Sequence, residues 1–496
     1  MKKILLVITG ALCMMSCKKF LQEYSQTDLV PKTVSDYGEI LYSDGYPPQN
    51  ADLQTWRTFL DDDVQFYMSP ANATGTADNL AGSSIFQWQP DFAAKSIAAG
   101  ISEEKINTWE KYYHYLLGPN VVLQYIDNAP GAQTEREQFK GEAYALRAFY
   151  HFMLVNLYAK PYNDSTTTPD KSPGIPIRIT ANLTDAPLPR NSVKEVYNQI
   201  TSDIDSAIFL LDKNKTTTSP FRISFVAAHL LASRIYLYME QWDKVIQHAD
   251  IVLAYKPMLM DLNTWGGSPD PDNKPVTGAK NVESLFTYAG SSEYSERGMA
   301  NTYSVSADLA SCYDSTDLRA QIFFFPVPAF LKPYFAPDYS WQKGRIQSSV
   351  PEDGISWRTA EAYLNRAEAC IQQYKATGDA SAANKALGSL NTLRMNRIDK
   401  SSFQPWTIRP ADTLLQMCRT ERRRELFSEE NHRWMDLRRY GMPSITHIYM
   451  PDLTTTQVFR LKARDPLYVL PIPDDVIARN TSLVQNPVYI GTRKPE

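Results

Sequence analysis

The thiol of Cys17 stands where a lipid could be attached. It follows Lys2-Lys3, an apolar run from Ile4 to Met15 and the small residue Ser16. A charged start, a short apolar stretch and a small residue before cysteine are the parts of a bacterial lipoprotein signal. Residues 1–16 are therefore expected to be removed and the mature chain to begin at Cys17. The run is too short to cross a bilayer, which takes about 20 apolar residues. Met14 and Met15 replace the usual leucine and small residue, yet Cys13, with Leu12 before it, fits the cut less well. Several acyl chains would anchor the protein firmly, since each buried methylene contributes about 0.8 kcal/mol. The plainer alternative is secretion with Cys17 left as a thiol.

A second group of reactive types is Glu421, Arg422 and Glu425. They share a helical stripe with Leu414, Leu415, Cys418 and Leu426, so charges stand where apolar side chains should. Two carboxylates one turn apart could form an acid–base pair. Alternating signs within the turn favour mutual neutralisation instead, and a buried charge persists only when paired. A structural ion network reaching other helices is the expectation. Asp61-Asp62-Asp63 reads as a solvated loop or helix cap, because neighbours in sequence need not flank one bond. Asp270, Asp272 and Asn273 offer hard oxygens for calcium but lack the full ligand loop. The histidines are scattered without metal-ligand spacing, and His432 reads as a packing or capping residue. No nucleophile elbow or phosphate-cradling glycine loop occurs. No catalytic residue, metal or cofactor is expected.

Aromatic side chains form the third group. Flat rings take the C–H faces of sugar rings while planar polar groups bond the hydroxyls. Trp88, Trp265, Tyr288, Tyr294, Tyr339 and Trp341 lie outside helical stripes, close to Asn and Asp. Trp88, between Gln87 and Gln89, and Trp265, followed by Gly266-Gly267, rank first. Many aromatics in a chain with 29 tyrosines must simply be core.

Composition limits the partners. Hydrophobic residues make up 43% of the chain, as a globular body requires, and without Lys2 and Lys3 the 51 basic side chains fall to 49 against 55 acidic ones. A net charge near −6 argues against a nucleic-acid partner. Beyond Cys13 and Cys17 only Cys312, Cys370 and Cys418 remain, an odd set without CxxC, so no disulfide framework is expected.

The elements that must position these residues are mostly helices. Ala228, Leu231, Ala232, Ile235 and Tyr238 form one stripe, Trp242, Val245, Ile246, Ala249 and Leu253 a second, and the two meet at Glu240-Gln241. Such a pair resembles a tetratricopeptide unit. Another pair is built on Ala360, Tyr363, Leu364, Ala367 and Ile371, then Ala383, Ala386, Leu387 and Leu390, with Gly378-Asp379 between. Weaker pairs span Trp109 to Asp127 with Glu137 to Tyr158, and Val193 to Leu211 leading to Ser224. Irregular stretches near 44–100, 160–190 and 256–356 interrupt them, and loops of that length in a compact domain are usually functional. The expectation is one mainly α domain over 17–496, a right-handed tetratricopeptide-like scaffold with large insertions and minor β structure.

The segments Glu421 to Leu426, Glu429 to Trp434 and Asp436 to Arg439 together resemble the C-terminal signature of SusD/RagB-like nutrient-binding lipoproteins of the outer membrane. Ala145 to Tyr150 with Leu154 to Tyr158, Gly174 to Ile177, Arg358 to Ala369, and Leu470 to Pro473 with Asn480 and Gln485 to Pro487 resemble further family segments in the family's order. Asn431 stands where relatives commonly have Gly, a mild change at a left-handed position. Gly118-Pro119 falls where relatives tend to keep an unbroken helix, and proline should split it. The resemblance implies a non-enzymatic surface lipoprotein that captures oligosaccharide, or in a minority of cases peptide, and hands it to a SusC-like TonB-dependent transporter. It implies a helical face toward the transporter and ligand on the loop-rich side. Two other classes stay open: an assembly scaffold without small ligand, and a glycan hydrolase with paired carboxylates in one cleft.

Overall fold

Several helices begin in this chain where capping side chains meet the periodic stripes. The computed structural model describes residues 31–48, 53, 55–67, 82–100, 102–182, 186–215, 219–265, 276–288, 303–326, 339–341, 355–452 and 454–496. α1 (Val34–Ile40) starts at a reciprocal capping box between Thr33 and Asp36. α2 (Thr108–Tyr115) and α3 (Leu117–Tyr125) lead into the long α4 (Gln133–Tyr158). α5 (Val193–Asn214) opens on a second capping box, Ser192 with Glu195, and α6 (Phe225–Tyr238) on the Ser224 hydroxyl. α7 (Trp242–Tyr255), α8 (Thr359–Thr377), α9 (Ala380–Met395), α10 (Ala411–Leu426) and α11 (His432–Arg439) complete the scaffold.

From α3 to α9 each of these helices packs on the next, and α10 lies against α8. This is the stepwise helix pairing expected from the stripes. Turns between partners use left-handed residues where the stripes stop: Glu240 (φ 58°) between α6 and α7, and Gly378 (φ 73°) between α8 and α9. Asp379 then caps α9 by accepting from the Ser381 N–H at 2.8 Å. Asn431 is left-handed too, with φ 57° and ψ 33°, which explains how asparagine serves there. Ala228, Ala232 and Ala249 are fully buried between helices.

The helix does divide near Gly118-Pro119. The break falls at Leu116, and Pro119 occupies the first turn of α3, where its missing N–H costs no intrahelical bond. Gly118 has its own reason: a Cβ there would lie 2.4 Å from the Gly45 backbone nitrogen. Two chain segments cross almost in backbone contact.

The inserted regions and the C-terminal region contain the β structure. Strands β1 (Val64–Tyr67), β2 (Ser284–Tyr288), β3 (Tyr303–Val305), β4 (Phe324–Pro326), β5 (Tyr339–Trp341), β6 (Ile355–Arg358), β7 (Ile445–Met450) and β8 (Gln457–Leu461) form three sheets. The largest has the order β3-β1-β7-β8; Phe66 pairs in parallel with Tyr449, joining the first insertion to the C-terminal region. β2 pairs with β6, and β4 with β5. The terminal motif closes the body: Leu470 donates to the Leu157 carbonyl, and the Asn486 amide donates to the carbonyls of Tyr158 and Leu470, both at 2.8 Å. Among the described residues, no helix is long and apolar enough to cross a membrane.

Candidate functional site

The charged stripe of α10 reaches into a buried network of arginines and acids. Glu425 accepts from Arg397 at 2.9 Å and lies 3.1 Å from both Arg358 and Arg319. Arg358 also meets Glu283 at 2.5 Å and Glu429 at 2.7 Å, and Arg397 meets Glu283 at 2.6 Å. Arg319 bridges Asp317 and Glu421, while Arg422 pairs with Asp436 at 2.8 Å and donates to Asn365. Burial pushes the Glu425 carboxyl up, but Arg397, Arg358 and Arg319 outweigh it and hold the group well below the ordinary glutamate range. That is the opposite of what a proton donor requires. His432 is buried beside Arg422.

The acids at 61–63 do not form a solvated loop. Arg433 grips Asp62 at 2.6 Å and Arg423 grips Asp63 at 2.7 Å, so the C-terminal signature holds the first insertion from below. Asp61 is buried and takes the Asp63 N–H; burial first, then the Asp63 and Asp62 charges, raise its pKa well above the usual value. The expectation of solvation failed because the arginines that pair with these acids lie some 360 positions further on.

One acid of the signature reaches an aromatic pocket. Glu430 accepts from the Tyr288 hydroxyl at 2.5 Å and the Trp357 indole N–H at 3.0 Å, and pairs with Arg234 at 2.7 Å. Tyr288 ends β2 and forms one wall of a cavity of about 370 Å³. The other walls are Tyr42, Ser43, Tyr46, Pro47-Pro48, Phe221 and Thr287. After α1 the backbone widens into a π-helical turn, Leu41–Gly45, a feature frequent at functional sites. Tyr46, just past it, is anchored: its hydroxyl donates to Glu142 at 2.7 Å and accepts from the Ile223 N–H. Tyr42 is 49% exposed, and its hydroxyl has no partner among the described residues. Its ring lies 6.2 Å from that of Tyr46. The arrangement offers an open aromatic face over a rigid aromatic floor, with the Tyr42 phenol and Ser43 hydroxyl at the edge.

The aromatic residues expected from sequence are distributed differently. Trp88 is 0% exposed; its indole donates to the Leu60 carbonyl at 2.9 Å and its ring stacks on His447 at 3.8 Å. It has no free face for a ligand. Its polar neighbourhood serves the C-terminal segment, since Gln89 exchanges two hydrogen bonds with the Arg493 backbone and Arg493 donates to the Trp88 carbonyl. Trp265 is likewise core, 8% exposed behind the turn Leu262–Thr264. Tyr288 is 4% exposed and spends its hydroxyl on Glu430, yet it lines the aromatic pocket. Tyr339 and Trp341 lie on β5, paired with Pro326 and Phe324. Cys17, Tyr294 and the group Asp270, Asp272 and Asn273 lie outside the described residues. Among the described residues, no group of three or more His, Cys, Asp or Glu could hold a metal ion.

Sequence reading missed Tyr42, which lies just before the irregular stretches from which candidate aromatics were taken and directly follows α1. The available signal was Tyr42 and Tyr46 one turn apart, framed by Gly45 and stopped by Pro47-Pro48.

Two family profiles match the chain. A SusD-like one, described as starch-binding and associating with the outer membrane, covers residues 51–237, and that of the SusD family covers 336–489. The SusD-like protein P38 of Formosa agariphila is 24% identical over 284 residues, 55% of this chain and 47% of its own. The match therefore spans about half the length of that curated relative. A SusD superfamily protein from Bacteroides thetaiotaomicron superposes with a TM-score of 0.68 at 21% identity, over 92% of this chain and 100% of that one. A SusD-like carbohydrate binding protein from Bacteroides vulgatus gives 0.67 at 20% identity, over 91% and 98%. These two structures share the fold.

Proposed function

This chain belongs to the SusD family, and from that membership we propose that it is a lipid-anchored protein of the outer membrane, facing the exterior. It binds an oligosaccharide nutrient and delivers it to a SusC-like TonB-dependent transporter. The observation that carries the ligand class is the exposed Tyr42 ring over the fixed walls of Tyr46 and Tyr288, because a pyranose presents C–H faces that stack on such rings. The cavity of about 370 Å³ is within the range of small-molecule sites, about 300–1,000 Å³. Tyr294, Tyr339 and Trp341 are proposed as further ligand contacts on the chemistry of their rings and their place in the insertion after Tyr288. The acids of the neighbouring network are committed to arginines, which favours binding over hydrolysis. Anchoring falls to acylated Cys17, in keeping with the outer-membrane association in the family description.

The experiment is calorimetric titration of the purified protein with a panel of plant, host and microbial glycans and with peptides, followed by analysis of the recovered ligand. Binding of one glycan class, recovered intact and weakened by Tyr42→Ala, is the expected result. Shortened glycans would mean a hydrolase, and affinity confined to peptides would replace the ligand class. Silence across the panel would leave the assembly-scaffold reading in its place. Copurification from mild detergent without any β-barrel protein would remove the transporter.

A further inference from the structure

A second cleft, of about 560 Å³, lies between α2 and the start of α3, the segments 176–180 and 186–188, and the C-terminal helix Asp474–Arg479 with the residues after it. Its floor is aromatic: Trp109 and Tyr113 pack at 5.1 Å, and the Tyr113 hydroxyl is tied to the Pro176 carbonyl at 2.7 Å. Among the described lining residues its charges have one sign. Arg178 and Arg479 line it with the exposed imidazole of His114, and no carboxylate is among the described lining residues. Arg479 is already bridged to Asp475 on its own helix. Arg178 is not: Nη2 donates to the Asn182 carbonyl at 2.6 Å, and its other guanidinium nitrogens have no partner among the described residues.

The backbone around Arg178 is held in place. His151, fully buried on α4, accepts the Arg178 N–H at 3.2 Å. The buried Asn120 amide donates to the carbonyls of Arg178 and Thr180, and Gln124 accepts the Ala181 N–H at 3.0 Å. A fixed guanidinium beside aromatic walls attracts an anion more strongly than one in open water, and its planar fork matches a carboxylate in two parallel hydrogen bonds. The chain as a whole is acidic, at −4. An anionic ligand is repelled at long range and needs a local cationic cleft to be retained.

From this geometry we infer that the cleft at Arg178 is a second glycan subsite, selective for the carboxylate of a uronic acid unit. The inference rests on the glycan-binding reading and narrows it to acidic oligosaccharides. The carboxylate meets Arg178, His114 bonds a ring hydroxyl, and Tyr113 covers the sugar's apolar face.

The test is calorimetry of the full chain in mild detergent with tetragalacturonate and with its methyl ester, the same tetramer without charge. The acid form should bind about tenfold tighter than the ester, a margin that high salt reduces. Arg178→Gln should erase about tenfold for the acid and leave the ester unchanged, while Arg178→Lys should recover only part because the fork is lost. His114→Gln, on an exposed residue, should weaken both forms without changing the melting temperature. Equal binding of acid and ester would overturn the acidic subsite while leaving glycan binding intact. Acid selectivity that survives Arg178→Gln in a protein with a normal melting curve would overturn its placement. Failure of both tetramers with retention of neutral glycans also defeats the subsite, and failure of every glycan defeats the reading beneath it.

Discussion

The Tyr288 hydroxyl donates to Glu430 at 2.5 Å across 142 positions of chain, so a residue of the C-terminal signature fixes a wall of the aromatic pocket. Glu430 also holds Trp357 and Arg234, which makes the pocket wall one edge of the buried ion network. Tyr288→Phe leaves an acceptor short of one donor in the interior. The expected cost is about 1–3 kcal/mol of stability, with a severalfold weaker glycan affinity, measured by urea unfolding and calorimetry. Unchanged affinity would show that the wall's orientation is irrelevant to the ligand.

Tyr42 and Trp88 should separate binding from folding. Tyr42→Ala removes an exposed ring and should leave stability within about 0.5 kcal/mol. It should cost the glycan complex about 0.5–1.5 kcal/mol, up to roughly tenfold in affinity. Trp88→Ala empties a core position and should destabilise the protein by about 3–5 kcal/mol. A Trp88 variant that folds normally but no longer binds would restore that residue as a ligand contact.

Glu425 faces three guanidinium groups, so Glu425→Gln leaves buried positive charge without its counterion. Removing one partner of a buried pair costs about 3–5 kcal/mol, and denaturant midpoints should fall accordingly. A midpoint unchanged within error would mean that the remaining acids neutralise the arginines unaided.

Acid should destabilise the protein through its buried histidines. The His248 and His229 Nδ1 atoms are 2.9 Å apart, so only one of the two can carry a proton there. Burial, with His229 and Lys244 nearby, pulls His248 down to about 4, and burial with Arg147 pulls His151 down to about 3. Both are neutral when folded and become protonated below about 6.5 when unfolded. Their contribution is therefore complete above pH 6.5 and is lost as pH falls toward 4 for His248 and 3 for His151. The slope is about 1.4 kcal/mol per pH unit for each. Urea midpoints measured from pH 7.5 to 4.5 should decline, and more gently in His248→Gln; a flat profile would contradict the assignment.

Cys17→Ala should move the protein from the membrane fraction to the soluble periplasmic or secreted fraction, as followed by immunoblot. Persistence with membranes would defeat the anchor.

Local rules carried much of the scaffold. Apolar spacing located the helices, and turn residues marked their ends, as at Gly378-Asp379 and Glu240-Gln241. Proline at 119 announced a division, whose position at Leu116 was given by the structure. The charge alternation of Glu421, Arg422 and Glu425 implied neutralisation but not its partners, because Arg319, Arg358 and Arg397 come from other elements.

By itself the sequence determined helical class, helix order and the presence of charges that must be paired, since these follow from spacing and side-chain type within a few residues; the left-handed position of Asn431 was implied by the family resemblance. Tertiary structure alone decided which aromatics are open. Exposure depends on what packs over a ring, and that cover comes from distant segments: His447 closes over Trp88, while nothing among the described residues closes over Tyr42. The same holds for Asp61-Asp62-Asp63, which look like a solvated acidic run until Arg423 and Arg433 are brought against them.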